Sequence, residues 1–247
     1  MGMVRAALLW AGIGLATLLF GLPALVAAYV PPRGDWFLRF ARGWARTILF
    51  LSGVPLRVEG RERLLSAGSA VVVANHESLA DILVLLVALP MQVRFLAKRR
   101  IFSVPVLGWS IRAAGFIPVD RGDRHRGAAT FEAALARLLS GRSVIVFPEE
   151  TRTRTGELLP FKKGAALLAL RSGLPILPVG IAGTRRVLPR DTLLPTSGPA
   201  ALVVGEPIAA AGRPVTDRTK LTEEARSAVA ALREKAAAML QATAPDS

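Results

Sequence analysis

Residues 6–30 carry no charge, a stretch long enough to span a hydrocarbon core or to lie embedded in one leaflet. A cleaved secretory signal is the competing reading, with Arg5 ahead of the run and the small residues Ala27 and Ala28 near its end, but the run exceeds a usual signal core. Residues 36–51 then follow a helical period. Arg39, Arg42 and Arg46 form one stripe, and Trp36, Phe40, Trp44 and Ile48 form another. This pattern predicts an interfacial amphipathic helix, with Trp36 and Trp44 beside arginines at headgroup level. A helix packed on the protein core would show the same pattern. Arginines cluster after the apolar run, which by the positive-inside bias places the body of the protein on the cytoplasmic face of a membrane.

Beyond Gly53, short Val- and Ile-rich runs alternate with Ala- and Leu-rich stretches of helical period. The runs predict strands at 70–74, 93–96, 116–119, 143–147 and 176–181, with a further one at 201–204. The stretches between them predict helices at 79–89, 104–114, 126–139 and 163–172. Such alternation implies an α/β fold, a largely parallel sheet covered by helices, here preceded by an N-terminal membrane-associated two-helix segment. Residues 217–241, rich in Ala with Glu and Arg interspersed, read as a solvent-facing terminal helix. The expected organisation is an anchor and interfacial helix at 1–52, an α/β domain at 53–216, and a helical tail at 217–247.

Composition agrees with a lipid-facing protein. Hydrophobic residues make up 52% of the 247, and the mean hydropathy of +0.43 is high for a soluble enzyme. The formal net charge of +14 favours an anionic partner, either a phosphate-bearing membrane or nucleic acid. The aromatic residues concentrate in the apolar N-terminal segments rather than among the later basic residues, which makes an anionic membrane the expected partner and nucleic acid not. With no cysteine there is no disulfide, thiolate nucleophile or Cys-based metal site.

In parallel sheets ligands gather outside the carboxyl ends of the strands, so the loops after each predicted strand carry the candidate chemistry. After the first comes a segment with His76 and Asp81 five positions apart. On one continuous helix, at about 100° per residue, these side chains would diverge by well over a right angle. If His76 lies in the loop and Asp81 in the first helical turn, the carboxylate can reach back to one imidazole nitrogen and leave the other free to take a proton. Ser78 and Asp81 also fit a capping box, which can coexist with that pairing. Arg121 ends a second block, Gly115-Phe116-Ile117-Pro118-Val119-Asp120-Arg121. Glu149, Glu150, Thr151 and Arg152 follow Phe147-Pro148 in a third, and Pro175 and Pro178 mark a fourth.

These four blocks in order, with Phe161-Lys162-Lys163-Gly164 nearby, resemble the signature of the glycerolipid acyltransferase family that includes lysophosphatidic acid acyltransferases. The resemblance implies that His76 is the general base and Asp81 the carboxylate that orients it. It implies that Arg121 helps hold the acceptor phosphate and that Glu149, Thr151 and Arg152 bind its glycerol and phosphate portion. Arginine suits that task because its planar fork makes paired, charge-assisted bonds to phosphate oxygens. Lys98, near the end of the 93–96 strand, is placed with these substrate-binding groups. Pro175 and Pro178 shape the pocket. His125, between Arg124 and Arg126, reads as a surface residue.

The implied reaction moves a fatty acyl group from acyl-CoA or an acyl carrier protein to the free sn-2 hydroxyl of lysophosphatidic acid. The thioester is already activated, so alignment and proton removal suffice, without a covalent intermediate, metal or cofactor. Acylation of another lysolipid is the runner-up, and a non-catalytic basic membrane-binding protein on the same scaffold is the rival from another class. The chain has no Gly-x-Ser-x-Gly elbow, the commonest hydrolase route. It also departs from the family pattern. Glu150 stands where glycine is usual, a place that suggests close backbone approach or an unusual dihedral, and Thr153 stands where serine is usual.

Overall fold

The run Val71–Ala74 is apolar at every position and buried throughout, as a strand in the middle of a helix-covered parallel sheet has to be. It is the centre of the molecule, seen in a computed structural model that describes residues 2–30, 35–66, 68–119, 124–192 and 194–242. In chain order the elements are α1 (Gly2–Ala27), α2 (Phe37–Leu51), β1 (Leu56–Glu59), α3 (Arg61–Ser66), β2 (Val71–Ala74), α4 (Ala80–Ala88), β3 (Val93–Lys98) and α5 (Leu107–Ala113). They continue as β4 (Ile117–Val119), α6 (Arg124–Leu139), β5 (Ser143–Val146), α7 (Gly164–Ser172), β6 (Ile176–Ala182), α8 (Thr184–Val187), β7 (Ala200–Val204) and α9 (Arg218–Gln241).

The seven-stranded sheet has the order β1-β7-β6-β2-β5-β3-β4. Strands β6, β2, β5, β3 and β4 run parallel, as the alternating pattern predicts. Strand β7 is antiparallel to β6, and β1, which the sequence reading does not anticipate, pairs parallel to β7. Successive side chains of β2 point to opposite faces. Val72 and Ala74 join a core with Leu38 and Ala45 of α2 and Val84 and Leu85 of α4. Val71 and Val73 join another with Leu138 of α6, Ala166 and Ala169 of α7, and Leu221 and Val229 of α9.

Two expectations about the flanking helices need correction. Helix α2 buries one face in the body of the protein, but of the predicted Trp36, Phe40, Trp44 and Ile48 stripe only Ile48 is buried, with Phe40 and Trp44 half-buried and Trp36 exposed. Phe37, Leu38, Ala41, Ala45, Ile48 and Leu49 are buried, and Arg42 donates to the carbonyls of Leu89 at 2.9 Å and Met91 at 2.6 Å. The physical reason is that α4 and the sheet offer this face a close-packed partner. Helix α1 lies along α2, with Phe20 seated over Gly43 and the Trp44 indole N–H donating to Thr17 Oγ1 at 3.1 Å. Its other side leaves Leu8, Leu15, Leu18, Leu19, Leu22 and Val26 exposed. With a mean hydropathy of 2.0 over its best window, α1 is long and apolar enough to cross a membrane.

The terminal helix is not solvent-facing. Leu221, Ala225, Val229 and Ala236 of α9 are buried, and a Cβ added at Gly180 of β6 would lie 2.3 Å from the backbone of Leu232 and Arg233. Only a residue without a side chain lets helix and strand approach this closely. At the opposite end of the sheet from the loops after β2 and β5, Asp35 holds Arg94 at 2.7 Å and Arg142 at 3.0 Å. Arg94 is 1% exposed, and burial lowers its guanidinium from the ordinary value while Asp35 opposes that shift.

Candidate active site

Strand β2 ends at Ala74, and the next side chain carries its pairing onward. Asn75 donates through Nδ2 to the Ile181 carbonyl at 2.9 Å and accepts the Ile181 N–H at 2.8 Å, so the loop leaves the sheet clasped to β6. His76 follows. Its backbone N–H donates to Glu149 Oε1 at 2.6 Å, and its carbonyl accepts the Thr153 N–H at 3.1 Å. The loop after β5 thus holds the His76 backbone from both sides. The imidazole stacks on Phe147, with ring centroids 4.1 Å apart and planes 20° apart.

Nδ1 of His76 lies 2.8 Å from Asp81 Oδ2, in the first turn of α4. The same oxygen accepts the backbone N–H groups of Glu77 at 2.8 Å and Ser78 at 2.9 Å. Asp81 is 0% exposed, and its Oδ1 is buried with no hydrogen-bond partner among the described residues. Ser78 Oγ accepts the Ala80 N–H at 3.1 Å and donates to the Leu188 carbonyl at 2.7 Å. Capping and pairing with histidine therefore coexist. A carboxylate only accepts, so Nδ1 carries the proton, and in the neutral imidazole Nε2 is the nitrogen with the lone pair.

Glu149 is 6% exposed, and its second oxygen accepts the Leu159 N–H at 2.9 Å. Burial raises its pKa, while the two backbone N–H bonds pull the other way. Both oxygens are engaged with the protein, so its immediate task is to place His76. Arg152 is half-buried. Burial lowers its guanidinium from the ordinary value, followed by the charge of Arg190, with Asp81 and Asp191 opposing and Arg100 adding to the depression. Arg190 also donates to the Arg152 carbonyl at 2.9 Å. Arg190 and Arg100 thus act on the charge of Arg152, and Asp81 opposes them.

A family model described as Acyltransferase matches residues 55–182. The chain belongs to this acyltransferase family. A chloroplastic 1-acyl-sn-glycerol-3-phosphate acyltransferase of Arabidopsis thaliana is 32% identical over 83% of this chain and 56% of its own length. Its counterpart from Brassica napus is 34% identical over 61% of this chain and 44% of its own. The chain thus spans about half the length of the curated relatives it matches. The crystal structure of the 1-acyl-sn-glycerophosphate (LPA) acyltransferase PlsC from Thermotoga maritima superposes with a TM-score of 0.76 at 26% identity, covering 94% of this chain and 98% of that one.

Of the residues that the family resemblance singled out, His76, Asp81, Glu149 and Arg152 come together at the carboxyl ends of β2 and β5, adjacent strands. Thr151 is half-buried in the same loop, between Glu150 and Arg152. Lys98 is exposed at the end of β3, on the far side of β5 from β2. Arg121 lies outside the described residues, as does the His125 side chain. Glu150, standing where the acyltransferase pattern has glycine, adopts φ +57°, the left-handed conformation that glycine takes without strain.

The sequence reading missed several groups. Asn75, Phe147, Arg190 and Arg100 sit within it or beside it unremarked. The largest omission is Glu77, which is 6% exposed and accepts Arg233 Nε of α9 at 2.7 Å. Burial raises the Glu77 pKa and Arg233 opposes that shift. A buried carboxylate demands a counter-charge, which is the one signal that could have found Arg233.

Proposed function

We propose that this chain is a 1-acylglycerol-3-phosphate O-acyltransferase. It moves an acyl group from acyl-CoA or acyl carrier protein to the sn-2 hydroxyl of lysophosphatidic acid and yields phosphatidic acid. The observation that carries this reading is the 2.8 Å pairing of His76 Nδ1 with Asp81, which leaves Nε2 to act as base; the same carboxylate also acts on the charge of Arg152. Nε2 takes the hydroxyl proton as the oxygen attacks the thioester carbonyl. The tetrahedral oxyanion collapses, the C–S bond breaks, and the imidazolium returns its proton to the leaving sulfur. Asp81 stabilises the imidazolium formed between these steps.

The acceptor phosphomonoester fits the cations. Arg190 and Arg100 both act on Arg152, and an anion placed beside Arg152 relieves that repulsion. Arg121 and Lys98 are proposed to complete the phosphate site, with Thr151 on the glycerol. The reading invokes no metal or cofactor, because a thioester needs none for acyl transfer. Helix α1 anchors the protein at the cytoplasmic face of an anionic membrane, where its acceptor resides.

The test is an acyl-transfer assay across a panel of lysolipids with both donor types, run beside His76→Ala. Transfer to lysophosphatidic acid, abolished in the variant, is expected. Preferential acylation of a different lysolipid, or undiminished transfer by His76→Ala, refutes the reading.

A further inference from the structure

Arg233 stands where α9 crosses β6 at Gly180, the point at which helix and strand backbones touch. That contact aims the guanidinium at the active-site loops. Its Nε donates to Glu77 Oε1 at 2.7 Å, and its Nη2 donates to the Gly156 carbonyl. Gly156 donates its N–H to Thr153 Oγ1 at 3.1 Å, and the Thr153 N–H donates to the His76 carbonyl at 3.1 Å. His76 and Glu77 are adjacent in the chain, so the bonds close a ring. It runs from Arg233 through Glu77 and His76 to Thr153 and Gly156 and back to Arg233. The Glu77 N–H, inside this ring, is also a donor to Asp81 Oδ2.

We propose that Arg233 is a positioning residue for the His76–Asp81 pair. It fastens the loop that carries the base to the loop that carries Arg152, and it neutralises Glu77 between them. This inference rests on the acyl-transfer reading. The groups facing Glu77 are Arg233 from α9, Arg185 from α8, Asp81 from α4 and the Asn75 amide at 3.5 Å. Without Arg233, Glu77 is a buried carboxylate near Asp81, and it must either take a proton or swing outward. Swinging outward pulls on the turn that donates to Asp81 and displaces the imidazole.

The experiment compares the full-length wild type with Arg233→Met, Glu77→Gln and the double variant, measuring kcat and KM over a pH series together with thermal unfolding. Arg233→Met is expected to lower kcat about ten- to a hundredfold, the scale of a small misplacement of a catalytic group. The deficit should widen as pH rises, because Glu77 is tolerated while protonated and disruptive once ionised. Adding Glu77→Gln to Arg233→Met removes the charge and should recover most of kcat, with a ratio to wild type that is flat in pH. If Arg233→Met fails to fold, Arg233→Lys keeps the cation but loses the second arm of the fork, and an intermediate kcat at wild-type Tm is expected. A wild-type kcat in folded Arg233→Met, or in Arg233→Lys where Arg233→Met does not fold, overturns the proposal, as does a pH-independent loss that Glu77→Gln does not relieve. An inactive wild type or an active His76→Ala instead fails the parent reading.

Discussion

Asp81→Asn separates charge from geometry at the centre of the site. Three donors converge on Oδ2, from His76, Glu77 and Ser78, and none reaches Oδ1. An asparagine can therefore place its carbonyl oxygen at the Oδ2 position and keep all three bonds. The backbone donors resist the flipped amide, so the imidazole keeps its tautomer. What disappears is the charge that stabilises the imidazolium. A unit pair about 4 Å apart at an effective dielectric near 20 interacts by about 4 kcal/mol, which at about 1.4 kcal/mol per decade is about a thousandfold in kcat. The amide NH2 then occupies the partnerless Oδ1 position, at a cost of about 1–3 kcal/mol for an unsatisfied buried donor. The assay is kcat for acyl transfer with thermal unfolding alongside, and His76→Ala as the floor. A stable Asp81→Asn enzyme within threefold of wild type would refute the electrostatic role. A folded variant no better than His76→Ala would refute the claim that geometry survives.

Glu150→Gly should raise stability by up to about 1 kcal/mol, because the left-handed penalty of about 1–2 kcal/mol vanishes while glycine adds unfolded-state entropy. Denaturant titration against Glu150→Ala checks it, and acceptor preference for lysophosphatidic acid over a zwitterionic lysolipid should shift by less than tenfold. Deleting residues 1–30 should leave a folded body, whereas deleting 1–52 removes the six buried side chains of α2 and should abolish the cooperative melt. Glu149, raised by burial, holds its proton in the folded state at pH values where the unfolded chain has released it. Stability therefore falls as pH rises from the ordinary glutamate range through the raised value, and Glu149→Gln should remove that share of the slope in unfolding measurements across pH.

The strands of the sheet were legible because fully buried runs such as Val71–Ala74 leave no polar position to mislead. The pairing of His76 with Asp81 was legible because both lie in one short segment whose strand-to-helix break the sequence marks. Strand β1 was not, since Arg57 and Glu59 interrupt its four half-buried residues. Helix α2 was legible as a helix, but its buried face, Phe37, Leu38, Ala41, Ala45, Ile48 and Leu49, shares only Ile48 with the predicted Trp36, Phe40, Trp44 and Ile48 stripe. The buried face of α9 was hidden because Ala225 and Ala236 stand among exposed alanines, and the helix's close approach to the sheet depends on Gly180 of β6, far away in sequence, lying against the backbone of Leu232 and Arg233.

The bond between Glu77 and Arg233 joins positions 156 residues apart. A ribosome adding about 5–20 residues per second needs about ten to thirty seconds to cover that distance. Throughout that interval the nascent chain holds His76, Glu77 and Asp81 while the guanidinium that neutralises Glu77 has not been made. Helix α9 cannot yet cover β6, and the ring that runs through Glu77 and Gly156 stays open. On the proposed role of Arg233 the frame closes only when α9 docks, and a chain stopped short of residue 233 should hold the pair without that bond.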